Sequence, residues 1–347
     1  MQDHTGTGEF MQRRTLLAGL AAGSIAAPLL ENASFPRTAA DSAKPRRSLE
    51  AKFEVAIIGG GPAGLSAALV FGRARRRTII IDGGPPRNAA APAMHSFLSR
   101  DGILPVDFRS ICHDELARYP TIIRHDGFVS DVRGIDQGFE IAVGDITVTC
   151  RKVIIALGLV DTFPNIEGLA ANWGKGVHAC PYCDGYEHRD KHWGVFANQP
   201  EMLDQALFLR GWTDHMTVFT AFGDALAEKH DALQSAGVRL IHATVSKVVG
   251  GDGHSLRGVE LTDGSVHQVE SLWLRPVQSQ TSLVERLGLR LRDDGAIWRN
   301  ESSETSVPGI LAAGDCAAGP VQQAILAAAD GARLAFSTSH SLVMAGR

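Results

Sequence analysis

The chain has 347 residues, of which 44% are hydrophobic and 21% are charged, and its net charge is −4 at pH 7. This is the composition of an ordinary globular protein, and the length allows about two domains because single cores stop growing at roughly 250–300 residues. The weakly acidic balance argues against nucleic acid as a partner, and no segment after Leu30 looks transmembrane.

The first residues have the pattern of a leader rather than of a fold. Arg13 and Arg14 precede a mild apolar run that reaches Leu30, and a polar segment rich in Ala, Ser and Pro follows. The run is too short to span a bilayer comfortably, and the whole resembles a twin-arginine export signal. We expect residues 1–48 to be a signal and linker that take the folded protein to a bacterial periplasm or another extracytoplasmic compartment. An ordinary disordered basic leader is the alternative.

A strand, a glycine turn, a helix and a second strand follow the leader. Residues 53–58 form an apolar run, residues 65–71 predict a helix, and residues 78–81 predict a second buried strand. Such a βαβ unit has parallel strands. Arg73 and residues 75–77 are expected in the last turn of the helix, where cations favour the helix dipole.

A second βαβ unit lies in the middle of the chain. It is predicted as a strand at 193–196, a helix at 201–210 and a strand at 216–219. Two such units predict an α/β chain with two Rossmann-like domains.

Strand-rich segments lie between and after the two units. Residues 139–148 and 152–156 are of this kind, and the chain finishes with an apolar strand at 309–312 and a long Ala-rich helix from Val321 onward. The last strand is expected to return to the first domain.

The first βαβ unit carries a glycine fingerprint. Gly59 permits a tight turn, Gly61 lets the backbone approach a pyrophosphate, and Gly64 lets the helix pack close to the strand. The N-terminus of the helix offers free N–H groups to phosphates. Asp82 ends the next strand, where a carboxylate can bind a ribose hydroxyl. These features together predict a bound dinucleotide.

A second motif near the C-terminus favours FAD over NAD. The apolar strand 309–312 leads to Gly314 and Asp315, and Gln322 and Gln323 begin the last helix. This pattern resembles the second FAD motif of flavoprotein disulfide reductases, in which the Asp reaches the sugar-alcohol chain of the flavin. A strand end with an N-capping Asp is the alternative.

The segment Cys180-Pro181-Tyr182-Cys183-Asp184-Gly185 is the most informative of the sequence. A CxxC places two sulfurs close enough to bridge, and local dipoles can turn one into a reactive thiolate. Asp184 supplies a carboxylate suited to proton transfer. A zinc half-site would need further ligands, and no second CxxC exists in the sequence. A purely structural disulfide also stays open, although so small a loop constrains the unfolded chain little.

The three segments VAIIGGGPAG, CPYCDG and GILAAGDC, in this order and at this spacing, resemble the low-molecular-weight thioredoxin reductases. The resemblance covers nearly everything from about Phe53 to the C-terminus. It implies a homodimer whose CxxC lies in an inserted pyridine-nucleotide domain and faces the flavin. By the resemblance, Cys183 is the thiol next to the flavin, Cys180 exchanges with substrate, and Asp184 is the general acid.

The resemblance also gives domain boundaries and cofactor contacts. It implies a three-layer ββα sandwich in which residues 49–164 and 278–347 bind FAD and residues 165–277 form the inserted domain. The residues expected to bind FAD are Gly59, Gly61, Pro62, Ala63, Gly64, Asp82, Gly314, Asp315, Gln322, Gln323 and Ala324.

The sequence departs from this family where NADPH should bind. The turn of the second βαβ unit reads Ala197-Asn198-Gln199-Pro200-Glu201-Met202, with larger residues where small ones are needed and a carboxylate beside the phosphate position. After the next strand the family usually has a basic cluster for the 2′-phosphate, whereas residues 220–224 here contain no arginine and end in Asp224. NADPH binding is therefore not expected.

A further segment, residues 83–88 with His95 shortly after, is similar to thioredoxin-reductase-like flavoproteins that include dithiol oxidases. We therefore expect an FAD-dependent thiol–disulfide oxidoreductase that oxidises a small dithiol and passes the electrons to oxygen. One alternative is a reductase of a thioredoxin-like protein, fed by NAD(P)H or another donor. Another is a flavin-binding sensor with little turnover. His95 is expected either near the flavin or as a structural hydrogen-bonding group.

Overall fold

The computed structural model of the protein describes residues 47–222 and 226–344. The leader predicted for residues 1–48, including Arg13 and Arg14, lies almost entirely outside these residues, and so does Asp224.

The helices and strands follow one another in the expected α/β order. The first part of the chain forms β1 (Arg47–Ile58), α1 (Pro62–Arg73), β2 (Thr78–Asp82), α2 (Pro105–Leu116), β3 (Ile122–Asp126), β4 (Val129–Ile135), β5 (Gly138–Val143) and β6 (Ile146–Ile155). The middle forms β7 (Val160–Thr162), α3 (Leu169–Asn172), β8 (Val177–His178), α4 (Pro181–Asp184), β9 (Trp193–Ala197), α5 (Glu201–Leu209), β10 (Met216–Thr220), α6 (Ala227–Ser235), β11 (Arg239–Ile241), β12 (Val245–Gly250), β13 (Leu256–Leu261), β14 (Val266–His267), β15 (Ser271–Trp273) and β16 (Val277–Ser279). The end forms α7 (Ser282–Arg286), β17 (Ile310–Ala312) and α8 (Ala324–Met344).

The first sheet has the strand order β3-β2-β1-β6-β5-β4. Strand β6 is shared, because its first half pairs antiparallel with β5 and its last residues pair parallel with β17. The parallel part therefore consists of β3, β2, β1, β6 and β17, and the meander β4-β5-β6 branches from it.

Both faces of the parallel part are buried, which explains its continuous apolar runs. In β1, Ala56 and Ile58 pack toward the meander, whereas Val55 and Ile57 pack toward α1 and α8. Because side chains alternate along a strand, one run of residues supplies two cores. The result is the predicted three-layer arrangement of helix, sheet and sheet.

The second sheet repeats this architecture. Its order is β11-β10-β9-β15-β8, with every pair parallel. One face packs on the three-stranded sheet β12-β13-β14, with Phe196 and Val259 in the shared core. The other face packs on α5 and α6, with Leu203 and Leu233 among the buried residues. The expectation of two Rossmann-like domains in an α/β fold is confirmed.

Two short strands join these halves. Strand β7 follows the first sheet, β16 follows the second, and the two pair antiparallel with each other. The chain returns to the first sheet at β17, which pairs with β6. The predicted limits of the inserted domain, residues 165 and 277, stay predictions that lie close to this pair of strands.

One local prediction was wrong. Helix α1 ends at Arg73, and Arg75 has a left-handed backbone with φ of 58°, so residues 75–77 form the connection to β2. Arg76 is held there by Glu54, at 2.9 Å. Within the described residues, no helix is both long and apolar enough to cross a membrane.

Candidate functional site: a dinucleotide cradle facing a disulfide

The glycine turn between β1 and α1 has the geometry of a phosphate cradle. Gly59 has a φ of +116°, and a Cβ there would lie 2.3 Å from the carbonyl oxygen of Ala156. A Cβ on Gly64 would lie 2.0 Å from the carbonyl oxygen of Gly59, so the helix packs directly on the turn. Gly61 has open space where its Cβ would be and stands at the N-terminus of α1. Each predicted glycine task therefore has a structural reason.

Asp82 closes this cradle from the end of β2. Its Oδ1 accepts a hydrogen bond from the backbone N–H of Gly60, at 3.2 Å. Its Oδ2 pairs with the guanidinium of Arg109 on α2, which also donates to the carbonyl of Gly84 at 2.7 Å. The sequence offered no signal for Arg109, because a helix distant from the fingerprint supplies it.

The second predicted motif and the glycine turn line one common cavity. Gly314, directly after β17, has a φ of +79°, and its N–H donates to Asp330 at 2.9 Å. Burial raises the pKa of the Asp315 carboxyl, against the opposing effect of Arg87. Helix α8 begins at Ala324, so Gln322 and Gln323 precede its first turn.

Arg87 connects this motif to the joining strands. Its guanidinium binds both carboxylate oxygens of Asp161 on β7, at 2.6 and 2.7 Å. It also reaches Asp315 at 3.2 Å and the side-chain oxygen of Gln322 at 2.7 Å. Gln278 on β16 completes the network by bonding to Asp161 and Gln322. The segment 83–88 was noted in the sequence, but these partners were not predicted.

The predicted dithiol is present as a disulfide. A disulfide bond joins Cys180 to Cys183, and their Cα atoms are 5.3 Å apart. Cys180 caps the N-terminus of the short helix α4, and Cys183 lies within that helix. The side-chain amide of Gln323 faces both sulfurs, with Nε2 at 3.9 Å from Cys180 Sγ and 3.8 Å from Cys183 Sγ. The residue preceding α8 therefore meets the dithiol.

Asp184 lies at the end of α4, and its Oδ1 is 3.5 Å from Nδ1 of the buried His178. His95 lines the same cavity and stands between Asp101 and Glu187, 3.6 Å from each. His95 therefore ties its own loop to the segment that follows the dithiol, which agrees with a structural role.

The remaining cysteines are not exposed nucleophiles. Burial raises the pKa of the thiols to about 11 at Cys112 and about 12 at Cys150 and Cys316. Among the described residues, no group of three His, Cys, Asp or Glu side chains is placed to hold a metal ion.

One cavity of about 1100 Å³ joins these features. The glycine turn, Asp82, Asp315 and the disulfide all line it. Its volume matches the upper end of ordinary ligand sites, as a dinucleotide requires. The open space at Gly61 and the cradle shaped by Gly59 and Gly64 fit a pyrophosphate, so the residues present fit FAD.

A dinucleotide cradle that opens onto a disulfide suits electron transfer between a flavin and that disulfide. This is the chemistry of a flavoprotein disulfide oxidoreductase.

Comparison with known proteins agrees with this class. The family model described as pyridine nucleotide-disulphide oxidoreductase matches residues 53–331. The protein named Thioredoxin reductase sirT from Leptosphaeria maculans is 32% identical, over 80% of this chain and 91% of its own length. The chain belongs to this family of FAD-binding oxidoreductases, and within it to the low-molecular-weight thioredoxin-reductase-like proteins.

Solved structures show the same fold. The crystal structure of HlmI is 36% identical with a TM-score of 0.79, covering 86% of this chain and 94% of that one. The oxidoreductase from Agrobacterium tumefaciens is 34% identical with a TM-score of 0.78, covering 85% and 99% of the two chains. The predicted family and enzyme class are confirmed.

Proposed function

We propose that this protein is an exported dithiol oxidase that works without NADPH. A small substrate dithiol reduces the Cys180–Cys183 disulfide, and the electrons continue through FAD to oxygen. The observation that carries the proposal is the turn between β9 and α5, where a nicotinamide dinucleotide would otherwise place its pyrophosphate.

This turn has the same length as the FAD turn but different contents. Three residues separate strand from helix in both, so Asn198 and Pro200 stand where the first turn has Gly59 and Gly61. The side-chain amides of Asn198 and Gln199 both donate to the backbone carbonyl of Arg275, at 3.0 and 3.3 Å. These two hydrogen bonds hold the turn against the segment at Arg275, which supports the proposal that no nucleotide binds in this turn.

The helix that follows the turn also disfavours a dinucleotide. Leu203 occupies the position of Gly64 and is buried in the core between α5 and the sheet. Glu201 and Asp204 place two carboxylates in the first turn of α5, where a phosphate would bind, and Lys229 offsets part of the charge of Asp204. Carboxylates repel the negative charges of a phosphate, so the charge of this turn also supports the proposal that no dinucleotide binds here.

The second strand of this unit has no cation for a 2′-phosphate in its described part. β10 ends at Thr220, whose hydroxyl accepts the backbone N–H of Phe222 at 3.0 Å, and Phe222 packs against the core. The rest of the predicted stretch, residues 223–224, lies outside the described residues.

The chain's own residues account for thiol–disulfide exchange. A substrate thiolate attacks Cys180, a new S–S bond forms, and Cys183 leaves as a thiolate. The second substrate thiolate then attacks the substrate sulfur that is bound to Cys180. This attack releases Cys180 and closes the substrate disulfide. Asp184 takes the proton from the incoming thiol and returns it to Cys180, and the second substrate thiol loses its proton to solvent. Gln323 donates toward both sulfurs and favours their thiolate forms.

FAD, when bound, accepts the two electrons of the reduced pair and makes them available to oxygen. Gly59, Gly61, Pro62, Ala63 and Gly64 would hold its pyrophosphate. Asp82, Gly314, Asp315, Gln322, Gln323 and Ala324 would complete its site.

An anaerobic titration tests the proposal. We expect dithiothreitol to bleach the visible absorbance of the purified holoprotein, and admission of oxygen to restore it. NADPH added to a second sample should bleach the flavin at least about 100-fold more slowly, because its phosphates lack the hydrogen-bond donors of a site. Fast bleaching by NADPH would overturn the interpretation of the second turn. A flavin that stays oxidised with dithiothreitol would overturn the oxidase.

A second candidate function is reduction of a thioredoxin-like protein. Its support is the name of the relatives, several of which are called thioredoxin reductases. This function needs an electron donor, so it is favoured only if NADPH bleaches the flavin. We also propose a homodimer, as the resemblance implies, and sedimentation of a single-chain mass would contradict it.

Export is proposed from the arginine pair that precedes the apolar run. Replacing Arg13 and Arg14 by lysine should abolish export of a reporter fused to residues 1–48, as a twin-arginine signal requires. The pair Arg46 and Arg47 beyond the run offers a matched control, and its replacement by lysine should leave export unchanged. Export that survives the first replacement would contradict the proposal.

A further inference from the structure

A stack of buried aromatic rings lies behind Asp184. His178, on β8, is 3% exposed, and its ring centroid is 4.5 Å from that of His188 and 5.2 Å from that of Trp273. His178 is fixed by its backbone, because β8 pairs with β15 and the N–H of Leu274 donates to the carbonyl of His178 at 3.0 Å. The imidazole therefore has little freedom to move away from Asp184.

The imidazole of His178 is short of hydrogen bonds. Neither of its ring nitrogens has a hydrogen-bond partner, although the side chain is buried. Leaving a buried polar group unpaired is costly, so such a group usually has a reason to be there. The group that faces Nδ1 is the Asp184 carboxylate, with Oδ1 at 3.5 Å. A small rotation of the Asp184 side chain would close this separation to a hydrogen bond.

The second histidine of the stack stays neutral. Burial lowers the pKa of His188 to about 3, and the charges of His178 and Lys191 act in the same direction. His254 adds a further lowering effect, and Asp184 opposes it. His188 thus contributes an uncharged ring, and its backbone carbonyl accepts the indole N–H of Trp193 at 2.7 Å. The charged or titratable groups that act on His188 are therefore His178, Lys191, Asp184 and His254, and those in direct contact with His178 are Asp184 and His188.

We propose that His178 is a positioning residue for proton transfer at the dithiol. Its Nδ1–H donates to the Asp184 carboxylate and orients it toward Cys180. Asp184 can then take the proton of the incoming substrate thiol and return it to Cys180 as the mixed disulfide breaks. No bond to His178 forms or breaks in this exchange. The inference rests on the proposed thiol–disulfide exchange at this pair.

Two substitutions at the same position separate hydrogen bonding from packing. His178→Phe keeps an aromatic ring in the stack but has no donor, whereas His178→Asn offers an amide N–H close to the position of Nδ1. For the Phe variant we expect anaerobic bleaching by dithiothreitol to slow about tenfold at neutral pH, the size of one hydrogen bond to a charged group. The pH profile of the rate should also differ from that of the unmodified protein, because the carboxylate loses its donor.

The Asn variant should recover most of the rate and the original pH profile. In Asp184→Asn the part of the pH profile that depends on this carboxylate should disappear. Adding His178→Phe to the Asp184→Asn variant should then change nothing further. His230→Phe is the matched control, since His230 is also buried, has an unpaired Nε2 and meets the ring of His242 edge to face, but lies on α6. Its pH profile should equal that of the unmodified protein.

A second measurement does not depend on the flavin. The pH dependence of Cys180 alkylation by iodoacetamide in the reduced protein should shift in His178→Phe and not in His230→Phe. Unchanged profiles in both measurements for His178→Phe, with normal bleaching of the unmodified protein, would overturn the role of His178 alone. Failure of the unmodified protein to bleach would instead count against the proposed function, and the alkylation profile would still decide the role of His178.

Discussion

Replacing Cys183 by serine is expected to slow the bleaching of the flavin by dithiothreitol at least about 1000-fold. The serine hydroxyl cannot form a disulfide with Cys180, so the variant has no thiolate leaving group at this position. The exchange therefore loses its first step. Losses of this size or larger follow removal of a group on which the chemistry depends. The measurement is anaerobic stopped-flow absorbance with flavin content matched between proteins.

Cys112→Ser is the control for this experiment. Burial, followed by the charge of Glu115, raises the pKa of the Cys112 thiol to about 11, so it is protonated at neutral pH and does not compete as a nucleophile. The control should bleach at the rate of the unmodified protein. Bleaching of Cys183→Ser at that same rate would contradict the dithiol mechanism and favour a flavin-binding sensor.

The same variant separates the two kinds of substrate. With Cys183 gone, the Cys180 thiolate can still attack a disulfide in a partner but cannot resolve the mixed disulfide. Incubation with an oxidised thioredoxin would give a stable covalent complex if a thioredoxin-like protein were the substrate. We expect no such complex to accumulate.

Gly59→Val is expected to leave the protein largely without FAD. A Cβ at this position would lie 2.3 Å from the carbonyl oxygen of Ala156, and the backbone has a φ of +116° that side chains rarely adopt. Ala156 cannot give way easily, because its own N–H is bonded to the carbonyl of Ile58 at 2.8 Å. The turn must move, and strain of about 1–3 kcal/mol corresponds to roughly 5- to 150-fold weaker binding.

The ratio of flavin to protein absorbance after purification measures this effect, with far-UV circular dichroism to show that the chain is folded. Gly258→Val is the matched control. It has a φ of +158°, and its Cβ would lie 2.4 Å from the carbonyl oxygen of His267, so the clash is similar but lies in the sheet β12-β13-β14. We expect the control to lose stability but to keep its flavin, whereas full flavin content in Gly59→Val would contradict the cradle.

Local patterns were sufficient to predict much of the site. The turn at Gly59 to Gly64 was placed correctly because its glycines are required by contacts within a few residues of the turn. Asp82 was placed correctly because a parallel strand that follows such a helix ends beside the turn, where it accepts the N–H of Gly60. Helix α8 was expected from Val321 but begins at Ala324, since helix ends are defined poorly by periodicity alone.

Contacts between distant segments were not predictable in the same way. Arg87 meets Asp315 across 228 positions of sequence, and Gln323 meets Cys183 across 140. Neither pairing has a signal in spacing, because it depends on how two sheets and their joining strands are arranged. Arg109, which reaches Asp82 from α2, belongs to the same group of findings.

The sequence by itself determined the family, the two βαβ units, the FAD fingerprint and the redox pair, because each depends on backbone requirements within a short segment. Only the tertiary structure brought Gln323 to the dithiol, Arg87 to Asp161, and the amides of Asn198 and Gln199 to the carbonyl of Arg275. These contacts join segments that are distant in the chain, and the relative positions of those segments are fixed by burial of whole layers rather than by any local pattern.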